Sequence, residues 1–143
     1  MAVSATPVLK RELLTLLQAR ANLSAVLVTW GWPVGELPDE FLMLLDVDGS
    51  QTTKTKGQHR REEEAALRVW ISVLRGRGEQ QAATERAYAL AEELETQLRE
   101  TPTVNSSVRS ARIEGRYALR EAQARERCEA SLTITVTFNK RII

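Results

Sequence analysis

The chain alternates between two hydrophobic patterns, and together they predict an α+β fold. Apolar residues recur at helical spacing from Thr6 to about Asn22 and from about Glu79 to Arg99. Elsewhere, runs that are apolar at every second position, or at every position, predict strands. The predicted strands are residues 25–30, 41–45, 64–75, 110–120 and 132–139. The order α-β-β-β-α-β-β then gives a mostly antiparallel sheet of about five strands, with both helices packed on one face.

The strand from Glu64 to Arg75 predicts which face of the sheet is the core face. Residues of one parity are all apolar, and we expect them to face the helices: Ala65, Leu67, Val69, Ile71 and Val73. The other parity is mixed, and its two large apolar residues, Trp70 and Leu74, need a partner to leave water. Trp30 ends an apolar strand and is predicted to lie in the core.

Residues 46–61 are predicted to form a long polar loop. Val47 is the only apolar residue among them, and glycines stand at positions 49 and 57. A connection of this length inside a compact domain is usually functional or disordered. We therefore expect this segment either to contact a partner or to lack fixed structure.

Composition narrows the possible classes of function. A chain of 143 residues suits one soluble domain spanning residues 1–143, and its net charge of +1 argues against a nucleic-acid binder that works by bulk charge. The single cysteine, Cys128, excludes an intrachain disulfide framework, and the single histidine, His59, excludes a Cys/His zinc site. No apolar run is long enough to span a bilayer, so we expect no membrane partner.

No residue pattern supports catalysis, and we predict that the protein is not an enzyme. His59 is predicted to be a solvated loop side chain, and Cys128 a small half-buried residue with no histidine near it in the sequence. The glycines around residues 76–78 fit a strand–helix turn better than a phosphate-binding loop. We therefore predict no catalytic residue, no cofactor and no metal site.

Charged and aromatic side chains supply candidate contact residues instead. Opposite charges at residues 60–64 could be a solvated strand entry, or could fix the register between neighbouring subunits. Trp32 in a Gly/Pro turn and Trp70 on a polar strand face are candidate anchors, because large aromatic side chains are costly to leave wet. Alternating arginines and glutamates on the fourth strand favour contacts between protein surfaces over a nucleic-acid track. The candidate interface residues are Trp32, Arg60, Arg61, Glu62, Glu63, Arg68, Trp70, Leu74, Arg112, Glu114 and Arg116.

The combined pattern resembles the tail terminator (tail completion) proteins of long-tailed bacteriophages, over nearly the whole chain. The matching features are an amphipathic first helix, the turn Gly31-Trp32-Pro33, the strand Glu62–Leu74, Gly78, the helix residues Glu85-Arg86-Ala87, Leu90, Leu94 and Leu98, the break Thr101–Val104, and the closing strand Thr133–Phe138. The chain departs from the family where Asn105-Ser106 replaces a usual glycine.

The resemblance implies a structural protein of the virion. It implies a homohexameric ring that caps the head-proximal end of the tail tube, stops tube growth and joins the tube to the head connector. The implied partners are further copies of the chain, the major tail tube protein and the head–tail connector protein, with DNA passing through the lumen without sequence-specific binding. The protein would be made in the host cytoplasm and end in the tail or neck. The alternatives are a head-completion or connector protein of the neck, and a small cytoplasmic α+β binding domain.

Overall fold

The structure is a computed structural model that describes residues 3–55, 60–123 and 125–142. Its elements are α1 (Thr6–Gln18), a short 3-10 helix (Ala21–Leu23), β1 (Leu27–Trp30), β2 (Glu40–Thr55), β3 (Arg60–Gly76), α2 (Gln80–Glu100), β4 (Ser110–Ile113), β5 (Ala118–Gln123) and β6 (Arg127–Ile142). Both predicted helices are present, although the first ends at Gln18 rather than near Asn22.

One six-stranded sheet has the strand order β1-β2-β3-β6-β4, with β5 also paired to β6. Only β1 and β2 pair in parallel; the other pairs are antiparallel. The predicted α+β class and mostly antiparallel sheet are confirmed. The sixth strand arises because the predicted fourth strand, residues 110–120, is broken between Ile113 and Ala118. Gly115 lies in this break with a φ of 96°, a value that residues other than glycine rarely adopt. β4 and β5 therefore lie one after the other along the same edge of β6.

The predicted loop at residues 46–61 is wrong for most of its length. Residues 46–55 continue β2, and residues 60 and 61 already belong to β3, with Asp48 opposite Ala66 and Thr53 opposite Arg61. Backbone pairing needs no apolar side chains, so a strand that is polar on both faces carries no hydrophobic alternation to detect. Residues 56–59, including His59, lie outside the described residues.

Both helices cover the same face of the sheet, and the core lies between the helices and that face. The apolar parity of β3, from Ala65 to Val73, is buried as predicted. The helices contribute fully or almost fully buried side chains to the same cluster: Leu9, Leu13, Leu17, Ala83, Ala87, Leu90, Leu94 and Leu98. Cys128, predicted to be half-buried, is 2% exposed, and its Sγ lies 3.1 Å from the Gly76 carbonyl oxygen.

Trp30 is not a core residue, contrary to the sequence prediction. It is 49% exposed, because β1 is the edge strand and has no strand beyond it. The Lys10 ammonium lies 4.5 Å from the centroid of the Trp30 ring and donates a hydrogen bond to the Leu45 carbonyl (2.7 Å). Burial lowers the pKa of Lys10, and the Asp46 carboxylate opposes that shift. Lys10 is 7% exposed, so its aliphatic stem is buried while its ammonium lies against the half-exposed Trp30 ring.

The segment between α2 and β4 contains three consecutive residues in the left-handed region. Val104, Asn105 and Ser106 have φ values of 45°, 55° and 63°. Asn105 and Ser106 therefore adopt the conformation that glycine favours. Val104 is fully buried, and its packing holds a backbone conformation that costs roughly 1–2 kcal/mol per residue.

Candidate contact surfaces

The face of the sheet opposite the helices, called the open face below, carries most of the candidate residues. On β6 its members are half-buried and polar: Ser131, Thr133, Thr135, Thr137 and Asn139. They stand opposite the mixed parity of β3, where Trp70 faces Thr133 and Arg68 faces Thr135. No helix of the described chain covers this face. The β6 side of this face is therefore a half-buried surface rich in hydroxyl groups, whereas Phe41, Met43 and Ser72, on its β2 and β3 side, are buried.

Trp70 finds aromatic partners within its own chain. Its ring lies edge-to-face against Trp32 (centroids 5.0 Å apart) and against Phe41 (6.0 Å). Trp32 comes from the connection between β1 and β2, residues 31–39, called loop 31–39 below. Gly31 opens this loop with a φ of 74°, which turns it back over the open face. Phe41 is almost fully buried, whereas Trp32 is 60% exposed. The aromatic cluster is therefore buried on the Phe41 side and exposed to solvent on the Trp32 side.

Glu62 and the arginines beside it lie at the far end of the open face. The Glu62 carboxylate accepts a hydrogen bond from Arg141 Nε (3.0 Å) and lies 3.8 Å from Arg109 Nη2. Arg60 is exposed and Arg61 half-buried, and the buried Nε of Arg61 has no hydrogen-bond partner among the described residues. Glu62 is thus already engaged by cations of its own chain, and its predicted role between subunits stays a prediction.

Glu63 lies on the helix-covered face of the sheet, where its side chain binds the backbone at the start of α1. It is 5% exposed, and its carboxylate accepts hydrogen bonds from the Ala5 backbone N–H (2.8 Å) and from Gln51 Nε2 (3.0 Å). Burial acts to raise the pKa of Glu63, but these hydrogen bonds outweigh it and the pKa is lowered. Both carboxylate oxygens serve the fold of this chain, which sequence reasoning about a charge run did not reveal.

The remaining charged candidates form exposed ion pairs within the chain. Arg68 lies 3.2 Å from Asp46, and Arg112 pairs with Glu114. Pairs this exposed contribute at most about 1 kcal/mol, so they leave the charges available to a partner. Arg116 is exposed, and its carbonyl oxygen accepts a hydrogen bond from the Thr135 hydroxyl (2.9 Å). That bond fixes the β4–β5 connection against β6.

Sequence reasoning missed a half-buried ionic cluster of Glu40, Arg75 and Arg86. The Glu40 carboxylate accepts hydrogen bonds from Arg75 Nη2 (2.5 Å) and from Arg86 Nε and Nη2 (2.9 and 3.1 Å). Burial would raise the pKa of Glu40, yet these bonds prevail and lower it. Leu74, the remaining candidate, is half-buried beside this cluster, and its N–H donates to the Asp39 carbonyl (2.8 Å). The three ionic partners are far apart in sequence, so no local pattern could have revealed them.

A second missed feature is a groove at the β4–β5 edge of the sheet, called the edge groove below. It lies between α2 and the β4–β5 connection and has a volume of about 440 Å³. Its apolar lining comes from Tyr88, Ala91, Ile113, Tyr117, Leu132 and Ile134. Tyr117 and Tyr88 are 69% and 42% exposed. Exposed aromatic side chains at a concave edge are typical of contact surfaces.

The candidate residues therefore belong to separate places rather than to one site. The aromatic pair lies at the centre of the open face, residues 60–63 lie at one end, and residues 112–116 lie at the outer edge. Within the described ranges, no group of three or more His, Cys, Asp or Glu side chains is placed to hold a metal ion. None of the helices there has the length and apolar character needed to cross a bilayer.

Comparison with known proteins identifies the fold and no family. No protein-family model matches the chain, and no curated protein matches it. A solved chain from the virion of a native gene transfer agent (GTA) particle has a TM-score of 0.56 at 14% identity, covering 96% of this chain and 99% of that chain. A second solved chain, for which no function is named, has a TM-score of 0.52 at 16% identity and covers 96% of both chains. The fold is thus shared over nearly the full length of both structures.

Proposed function

We propose that this chain is a structural subunit of a phage-like virion and, within the virion, the tail terminator. The observation that carries the proposal is the fold shared with a virion chain, which covers 96% of one chain and 99% of the other. The likeness therefore extends over nearly the full length of both chains. The resemblance of the sequence pattern to tail terminators supports the finer assignment.

The proposed mechanism is steric. Copies of the chain form a closed ring, a hexamer by the family resemblance, on the last ring of tail tube protein. The bound ring occupies the surface that the next tube subunits would need, and tube growth stops. Its opposite side then presents a surface to the head connector, and DNA passes through the lumen without sequence-specific binding. Such a role needs contact surfaces rather than reacting groups.

The open face and the exposed apolar side chains supply surfaces of this kind. Hydroxyl groups on β6 and half-exposed aromatic rings around Trp70 can each be covered by another protein. The exposed ion pairs Arg68–Asp46 and Arg112–Glu114 cost little to rearrange, because solvent already screens them. A protein that works by blocking a surface can use the hydroxyl groups, the aromatic rings and the exposed ion pairs as contacts, and it needs no reactive group.

Deletion of the gene for this chain from the phage-like genome that carries it tests the proposal. Electron microscopy of the particles should then show tail tubes of irregular, mostly excessive length. Wild-type protein supplied in trans should restore normal particles. A Leu94→Asp variant, whose substitution falls at a fully buried core position, serves as the inactive control. Tails of normal length that lack heads would indicate a neck connector instead, and normal particles would contradict any virion role.

A further inference from the structure

The polar half of β2 has one edge that no strand covers. β1 pairs with residues 41–44 of β2 and stops there, whereas β2 continues to Thr55. On its other side, β2 stays in unbroken register with β3 from Val47 to Thr53. Beyond Leu44, no strand of the described chain pairs with the outer edge of β2. Residues 46–53, called the free edge below, therefore present backbone N–H and C=O groups to which another strand can pair.

The free edge has the properties that such pairing needs. It contains no proline, and all its residues except Val47 are exposed. Lys10 sets its near limit, because the buried Lys10 side chain already donates a hydrogen bond to the Leu45 carbonyl (2.7 Å). A strand that adds to the sheet here gains backbone hydrogen bonds along its length, as extended segments do when they extend an exposed sheet edge.

The outer edge of β5 is the matching edge, on the opposite side of the sheet. Among the described strands β5 pairs only with β6, and residues 120–123 are exposed. β2 and β5 run in opposite directions, because the pairs β2–β3, β3–β6 and β5–β6 are all antiparallel. Two copies in the same orientation can therefore place β5 of one copy antiparallel to β2 of the other, end to end with β1.

The two edges carry opposite charge when every ionisable residue on them is counted. The free edge has two aspartates and no cation, which is a net charge of −2. Residues 116–123 have two arginines and one glutamate, which is a net charge of +1. Asp48 and Arg120 both lie exposed on the open face, and neither has an ion-pair partner within the part of the chain that the structure describes. These two side chains are free to pair with each other between copies.

The other charges near the two edges are engaged or lie outside the contact. Asp46 already pairs with a cation of its own chain, and the Glu121 carboxylate accepts a hydrogen bond from the Thr84 hydroxyl of α2 (2.5 Å). Glu129, in the strand behind β5, accepts hydrogen bonds from two serine hydroxyls. Lys54 follows the free edge, at the register shift between β2 and β3.

One antiparallel register brings no like charges together. When Asp48 stands opposite Arg120, Asp46 falls opposite Ala122 and Glu121 falls opposite Val47. Opposite charges that face each other across a strand pair stabilise it, and like charges destabilise it. The charge pattern therefore favours this register.

We propose that β5 of a second copy of this chain adds to the free edge of β2, antiparallel, with Arg120 of one copy facing Asp48 of the other. Each copy then offers its free edge to one neighbour and its β5 edge to another, a head-to-tail contact that builds closed rings. The inference rests on the proposed function only for what the ring is for.

Engineered cysteines test the geometry, because the only native cysteine is buried. Facing residues of an antiparallel pair have Cα atoms about 4.5–5.5 Å apart, which a disulfide can span. Full-length Asp48→Cys/Arg120→Cys protein, oxidised with oxidised glutathione, should give a ladder of covalent oligomers on non-reducing gels, and a mixture of the two single variants should stop at the dimer. Thr52→Cys/Arg120→Cys, displaced by four residues on the same edge, is the matched control and should give no ladder.

Charge reversal provides the second arm. Asp48→Arg and Arg120→Asp should each weaken self-association about tenfold or more in sedimentation velocity, because each sets two like charges opposite each other. The double variant Asp48→Arg/Arg120→Asp should restore it. Arg77→Asp, at an exposed position in the turn before α2, is the control and should associate like the wild type.

Three results would overturn the inference: a monomer with no ladder at any concentration, a double variant no stronger than the single ones, or cross-linking of Asp48→Cys to itself. A ladder together with normal particles after gene deletion would keep the contact and reject the terminator role. Tubes of excessive length after deletion, from a protein that gives no ladder, would keep the role and reject the contact.

Discussion

Replacement of Trp70 by alanine tests whether the aromatic cluster on the open face stabilises the fold. The substitution removes two edge-to-face contacts, with Trp32 at 5.0 Å and with Phe41 at 6.0 Å. Such pairs are each worth about 0.5–1.5 kcal/mol beyond the area they bury, which gives about 1–3 kcal/mol for both. Truncation of a fully buried aromatic residue costs about 3–5 kcal/mol, and Trp70 is only half-buried. We therefore expect the free energy of unfolding to fall by about 2–4 kcal/mol.

Urea unfolding followed by far-ultraviolet circular dichroism measures this loss without relying on the fluorescence of the other tryptophans. Trp70→Phe is the matched control and should retain more than half of the stability that alanine loses. The double-mutant cycle with Trp32→Ala should give a coupling energy of about 0.5–1.5 kcal/mol. A loss below about 0.5 kcal/mol for Trp70→Ala, the range of ordinary surface substitutions, would refute the reasoning.

Three other predictions concern intrachain contacts. Glu40→Gln should lower the free energy of unfolding by about 1–3 kcal/mol at neutral pH, because it removes the negative charge that accepts hydrogen bonds from Arg75 and Arg86. The lowered pKa of Glu40 means that its contribution is present above the ordinary value near 4.5 and is lost as pH falls through the folded-state pKa, so the variant should show a weaker acid dependence in urea titrations below that value. Glu63→Ala should free the start of α1, seen as faster amide hydrogen exchange there; unchanged exchange would contradict the tether. Gly49→Ala would place a Cβ 2.7 Å from the Ala65 Cβ and should lower the unfolding free energy by about 1–3 kcal/mol; an unchanged melting curve would contradict the close approach.

The hydrophobic pattern was sufficient to predict the elements that bury apolar side chains. β3 shows why: its apolar parity is fully determined by alternation, and every predicted core position on it is buried. α2 likewise begins and ends within one residue of its predicted limits. Burial leaves a periodic trace in the sequence, and these elements are held mainly by burial.

The polar extension of β2 left no such trace. From Asp46 to Thr55 the strand is held by backbone hydrogen bonds to β3, and Gly49 is required by the close approach of Ala65 rather than by a turn. Glycine within a polar run is usual in loops, and the sequence prediction followed that rule. Here pairing with β3 makes the segment a strand, and the glycine serves the close approach of Ala65 instead.

The candidate contact residues were predicted by type and only partly by place. Trp70 was correctly placed on the mixed face, but its intrachain partner Trp32 depends on how loop 31–39 folds back. Glu63 was assigned to a charge run, and only the structure shows that its neighbour is Ala5, far away in sequence. The edge groove needs three elements to meet, and no single stretch of sequence encodes it.

Trp70 links the open face to loop 31–39, and this link can be tested. Its ring contacts Trp32, the second residue of the loop, so loss of the ring should release the loop from the sheet. A segment with fewer packing contacts opens more easily and exchanges its amide hydrogens faster. Trp70→Ala should therefore speed amide hydrogen exchange in residues 31–39, whereas Trp70→Phe should largely preserve the wild-type rate. Measurements at a temperature where both proteins remain folded separate this effect from stability, and equal exchange in the two variants would show that the loop keeps its shape without the aromatic contact.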